Sequence, residues 1–189
     1  MKTLLTFFVL FFSSSLLAED ISDFQIEGIS IGDSLLDHLS ENKIKRNMND
    51  VYNYIEEKKF FTTGFFTNDS NSEYEFIQLT LKFNDSSYIV HGVGGNITNI
   101  SEPTCFSKQQ EVDIYISNFF KDYERSNPII ASHPADPTNK STVTQIAYQL
   151  NEGVALIECY NFSNAVSYPD SFVFSLYSKE LNEWLQKYQ

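Results

Sequence analysis

An α+β fold, with a mainly antiparallel sheet and amphipathic helices packed on one face, is what this 189-residue chain predicts. Three observations carry that reading. Segments of alternating apolar and polar residues recur, as in Ile77-Gln78-Leu79-Thr80-Leu81-Lys82-Phe83, and a period of two marks a half-buried strand. Val112, Tyr115, Ile116, Phe119, Phe120 and Tyr123 instead fall at helical spacing and form one apolar stripe. Most strand connections are far too short for the crossovers of a parallel sheet.

Residues 1–18 read as an address rather than as part of the fold. Lys2 is followed by an apolar run over 4–12 broken only by Thr6, then Ser13-Ser14-Ser15, and the small residue Ala18 precedes Glu19-Asp20. That is the layout of a secretory signal peptide, with a run too short for the ~20 residues a membrane-spanning helix needs. Cleavage after Ala18 leaves a single exported domain over 19–189; an uncleaved anchor is the alternative.

Each element then follows in order. Residues 24–31 alternate like a strand, and Gly32-Asp33-Ser34 turns into a helix carrying Leu35, Leu36 and Leu39. Met48, Val51, Tyr52 and Ile55 predict a second helix over 49–58. Strands are expected over 60–66, 73–83 and 88–97, with turns at 68–72 and 84–86. A long helix over 108–125 carries the aromatic stripe, with Ser107 and Gln110 as a capping box and Cys105 just before it. Residues 127–141, holding Pro128, Pro134 and Pro137, form the one Pro-rich loop. A hairpin over 143–150 and 154–160, a strand over 171–177 and a helix from Ser178 complete the chain. This order admits one continuous sheet or two helix-plus-meander halves, 24–100 and 105–189.

Composition narrows the function. The net charge is −12, and removal of Lys2 with the leader leaves about −13. Such a surface repels phosphate backbones, which excludes nucleic acid as a partner. The mature chain has no second long apolar run, so no membrane span is expected in it. Six Asn-x-Ser/Thr triplets start at Asn68, Asn84, Asn96, Asn99, Asn139 and Asn161. The richness in Asn, Ile, Lys, Phe and Tyr suggests an AT-rich bacterial genome, in which such triplets arise by chance.

Cys105 and Cys159 are the only cysteines, with 53 residues between them and no CxxC spacing. In an oxidising compartment an even pair reads as one structural disulfide. Neither has a neighbouring histidine to suggest a metal site or an activated thiol.

Residues with chemistry are few. His91 lies in the glycine-rich Tyr88-Ile89-Val90-His91-Gly92-Val93-Gly94-Gly95-Asn96, where a bulged strand explains the glycines as well as ligand approach does. His133 and Asp136 place an imidazole and a carboxylate in the Pro-rich loop, where proton transfer or a metal site is conceivable. His91, His133 and Asp136 are therefore the candidate polar site. His38, beside an apolar helix face, reads as structural. No HExxH, GxSxG or GxGxxG context occurs, so neither a cofactor nor a metal is indicated.

The stretch from Ile21-Ser22-Asp23-Phe24 through Gly32-Asp33-Ser34-Leu35-Leu36-Asp37 resembles the opening of small exported proteins of unknown function from AT-rich bacteria. That resemblance implies export and no activity. The turn Ile29-Ser30-Ile31-Gly32-Asp33-Ser34 is also similar to the strand-turn-helix opening of outer-membrane lipoproteins with the assembly-factor and β-lactamase-inhibitor-like fold. The chain lacks their lipobox cysteine, so a lipid anchor is not implied.

The expected function is thus a periplasmic or secreted binding module for an unknown protein or small ligand. The alternatives are an exported hydrolase-type enzyme using His133 and Asp136, and an acidic inhibitor of a basic secreted enzyme.

Overall fold

The computed structural model describes residues 20–52, 55–67 and 72–188, so the leader lies outside the described residues. A 3-10 turn (Ile21–Asp23) leads into strands β1 (Gln25–Ile26) and β2 (Ile29–Ser30). The single strand expected over 24–31 is folded on itself. Glu27 and Gly28 take φ of +52° and +76°, the geometry of a two-residue hairpin turn, so Ile26 and Ile29 can both be buried.

The first expected helix is also divided, into a 3-10 turn (Leu35–Asp37) and α1 (Glu41–Arg46). The cause is tertiary: Gly32 N–H donates to Val90 O and Leu35 N–H to Tyr88 O, which ties this segment to the strand that follows. No helix forms over 49–58 among the described residues, and 53–54 lie outside them. Asn49 and Thr62 exchange two backbone hydrogen bonds, which holds this segment along a sheet edge. Tyr52 and Ile55 are buried against Phe60, Leu181 and Trp184, so the apolar spacing reflects packing without helical turns.

Among the described residues the sheet has eight strands, all antiparallel: β3 (Phe60–Phe66), β4 (Phe76–Lys82), β5 (Val90–Thr98), β6 (Glu124–Arg125), β7 (Ile129–Ser132), β8 (Thr142–Leu150), β9 (Gly153–Asn161) and β10 (Ser171–Ser178). In space they run β3-β4-β5-β10-β9-β8, with β6 and β7 both pairing the outer side of β8. The two meanders therefore join through β5 and β10 into one sheet. Of the expected turn at 68–72, residues 68–71 lie outside the described residues.

Helix α2 (Glu102–Ser117) starts six residues before the expected point. Ser101 Oγ accepts from Thr104 N–H at 3.4 Å, and Pro103 suits a first turn, where its missing N–H costs nothing. Ser107 is inside the helix, its hydroxyl donating to Pro103 O, so the capping box with Gln110 does not form. Cys105 is likewise helical and bonds Cys159 of β9, as the count of thiols implies. Helix α3 (Lys179–Gln186) begins on Ser178, whose Oγ accepts from Leu181 N–H.

Strand alternation sorts the helices onto two faces. Ala155, Ile157 and Cys159 of β9 face α2 within the main core, while Val154 and Leu156 face Tyr177 on the other side. Tyr177 packs with Leu181, Trp184 and Leu185, so α3 covers the face opposite α2. Gly92 makes room there, because a Cβ would press on Leu181 Cδ2 at 2.8 Å. The glycines around His91 thus serve close packing.

Candidate functional site

The Pro-rich loop is a fixed structure. His133 N–H donates to Ser141 O and closes it, and Asp136 N–H turns back onto His133 O. Asp136 fills the space inside and is 1% exposed. Its Oδ1 accepts from Thr138 N–H (2.8 Å) and Thr138 Oγ1 (2.7 Å). Its Oδ2 accepts from Ser141 N–H (2.8 Å), Ser141 Oγ (2.7 Å) and Ser163 Oγ (2.8 Å). The Ser141 and Thr138 hydroxyls hold this carboxyl far below the usual carboxylate range.

His133 is occupied separately. Its Nδ1 accepts from Ala135 N–H at 3.2 Å, so the neutral ring carries its proton on Nε2, and burial lowers its pKa against the pull of Asp136. No hydrogen bond joins the His133 ring to the Asp136 carboxylate among the described residues. The imidazole instead sits edge-on to Tyr160 and Phe162, at 5.6 and 5.1 Å between centroids.

Those two rings are stacked, with centroids 5.6 Å apart and planes within 9°. Tyr160 and Phe162 are two residues apart in extended chain, which places both on the face away from α2. Tyr168, 47% exposed, leans on Phe162 at 5.3 Å. The loop carrying it is held by Phe162 N–H to Asp170 Oδ1 (2.7 Å) and Ser163 N–H to Ser141 Oγ (2.9 Å). Next to it the disulfide and a hydrogen bond from Asn161 to Glu102 Oε1 fasten β9 to α2. The cavity at the disulfide is only about 10 Å³, barely one water.

Beneath this rim lies a buried carboxyl that the sequence reading passed over. Glu158 is 4% exposed; Gln145 Nε2 donates to its Oε1 at 2.8 Å, and among the described residues Oε2 has no partner in hydrogen-bond geometry. Burial pushes the Glu158 pKa up, and it pushes the Tyr160 hydroxyl well above its ordinary value, with Glu158 adding to the effect.

His91 belongs to another part of the molecule. Its Nδ1 lies 3.2 Å from Ser178 Oγ and 3.8 Å from Glu180 Oε2, and its ring meets Phe60. Burial, then Lys82, lowers its pKa, while Glu180 opposes. Glu180 is itself paired with Lys59 at 3.0 Å and Lys82 at 2.6 Å, a clamp between α3 and the β3–β4 hairpin. An open depression of about 330 Å³ borders this clamp. His91 is beside Ser178 at one end of β10, whereas His133 lies on Tyr160, the partner of Ser171 at the other end. Eight strand residues put these ends roughly 23 Å apart. His91, His133 and Asp136 therefore do not form one site.

Among the described residues no three His, Cys, Asp or Glu side chains converge as metal ligands do, and no helix is long and apolar enough to cross a membrane. The disulfide is compatible with an exported protein. No protein-family model, curated protein or solved structure matches the chain.

Proposed function

We propose that this chain is an exported binding module that holds a protein partner on the aromatic rim formed by Tyr168 and Phe162, backed by Tyr160 and His133. One observation carries the reading: an exposed tyrosine rests on a stacked aromatic platform whose two loops are locked through one carboxylate, Asp136. Aromatic side chains held rigid in advance lose little freedom on binding, which is how a few of them come to dominate an interface. The net charge of −12 favours a partner with a basic face.

The arrangement speaks against the hydrolase alternative. A general base needs a free lone pair within reach of substrate, and both Asp136 oxygens are spent on the loop while His133 Nδ1 is spent on Ala135. Immobilised protein challenged with envelope extract tests the proposal. A protein retained by the wild type and lost with Phe162→Ala/Tyr168→Ala supports it; retention unchanged in that variant overturns it.

A further inference from the structure

We infer that β7 is a self-pairing edge, through which two copies of this chain join antiparallel about Ala131 into one continuous sheet. This inference goes beyond the proposed partner site and does not depend on it.

Among the described residues strand β7 is hydrogen-bonded on one side only, to β8, and all four of its residues are exposed, Ile129 to 54% and Ile130 to 71%. The pairs are Ile129 with Gln145, Ile130 with Thr144, Ala131 with Val143 and Ser132 with Thr142. His133 N–H donates to Ser141 O, so the hydrogen-bonded members of this ladder are His133, Ala131 and Ile129. Strand geometry then directs the N–H and C=O of Ile130 and Ser132 outward. They are an unpaired row of two donors and two acceptors, a template for another extended chain.

The next positions that face outward are Pro128 and Pro134, which have no N–H to offer. They stand at equal distances from Ala131. Antiparallel pairing centred there sets Ile130 against Ser132 of the second copy, and Ser132 against Ile130, with each pair exchanging two hydrogen bonds. It also sets Pro128 against Pro134, so the ladder ends on both sides without stranding a donor. A segment symmetric in this way complements itself, as an isologous two-fold contact requires.

Charge points to the same occupant. Residues 126–135 contain no charged side chain, although the chain as a whole carries −12. Two copies meeting at this edge therefore place no like charges opposite each other, whereas most other surfaces of so acidic a protein would repel their own copy. An exposed edge of this kind is usually guarded by a lysine or an inward charge, and β7 has neither. Four hydrogen bonds and two isoleucines make a small interface, at the weak end of specific contacts.

The test is cross-linking of Ala131→Cys. Ala131 meets its own copy at a non-hydrogen-bonded pair, where Cα atoms lie about 4.5 Å apart, within disulfide reach. Ala131→Cys protein is oxidised beside an Ile114→Cys control, which is also exposed, on α2. The expected result is covalent dimer formed at least tenfold faster at position 131, and slowed to the control rate by adding Ser132→Pro. That substitution removes an outward N–H and leaves the bonds to β8 intact. Should Ser132→Pro unfold the protein, Ile130→Lys provides the same block by charge. Dimerisation at the control rate, or a fast rate that neither second substitution lowers, overturns the inference.

Discussion

The Ser163 hydroxyl donates to Asp136 Oδ2 at 2.8 Å, and this contact between residues 27 apart fastens the loop after β7 to the loop after β9. Asp136 has five donors among the described residues, so Asp136→Ala frees five polar groups at once. The melting temperature is expected to fall by roughly 5 °C or more, with Asp136→Asn intermediate, as read by circular dichroism. The pH dependence follows from the depressed pKa: the stabilisation is complete above the unfolded carboxyl value and is lost as pH falls below it towards the folded one. Asp136→Asn should therefore lose its deficit relative to the wild type in strong acid.

The Cys105–Cys159 bond closes a loop with a sequence separation of 54. Loop-closure entropy gives it up to about 4 kcal/mol, less whatever structure the reduced chain keeps. Denaturant unfolding with and without reductant, or of Cys105→Ser/Cys159→Ser, is expected to show a lower midpoint without the bond. An unchanged midpoint would assign the bond no structural role.

Glu158 is a cost to the fold at neutral pH. Its pKa is raised in the native state, so the unfolded chain releases this proton first, and stability declines as pH rises from the unfolded value towards the folded one. Glu158→Gln keeps the bond from Gln145 and removes the charge. It is expected to stabilise the protein at pH 7–8, because the charge that burial opposes is gone, and to leave stability at acid pH nearly unchanged. Urea titrations at several pH values measure both.

Trp184, the one tryptophan, is 1% exposed and lies between Tyr52 and Phe60. Its fluorescence should be blue-shifted in the native state and move to the red on unfolding. Trp184→Ala should cost about 3–5 kcal/mol, as large cavities beneath a helix do. Smaller loss would mean that the segment around Tyr52 collapses into the space.

Elements with a local cause were legible in the sequence. The β8–β9 hairpin follows from two strand-like runs, 143–150 and the apolar 154–160, around Asn151-Glu152-Gly153, and α3 from Ser178 ahead of Leu181, Trp184 and Leu185. The disulfide followed from having two cysteines in a chain read as exported. What failed had a distant cause. Val51, Tyr52 and Ile55 show helical spacing, yet Asn49 is drawn to Thr62 by pairing along β3. The expected cap at Ser107 lies inside α2, because Ser101 caps the helix six residues earlier and Pro103 fits its first turn. For the site, His133 and Asp136 drew attention by residue type, but their roles depend on Ser163, Tyr160 and Phe162 from another loop. Tyr160 and Phe162 did carry a signal, two aromatics at strand spacing. Glu158 sits within a run of apolar residues, and its pairing with Gln145 depends on the β8–β9 register.

The most direct measurement places a photo-activated cross-linker at Tyr168, with Tyr188, which packs on Trp184 away from the rim, as control, in the protein expressed in its own cells. The expected result is a discrete adduct with one protein at position 168, absent at 188 and lost when Phe162→Ala removes the ring beneath it. Equal adducts at both positions, or none at 168, would contradict a partner site on the aromatic rim.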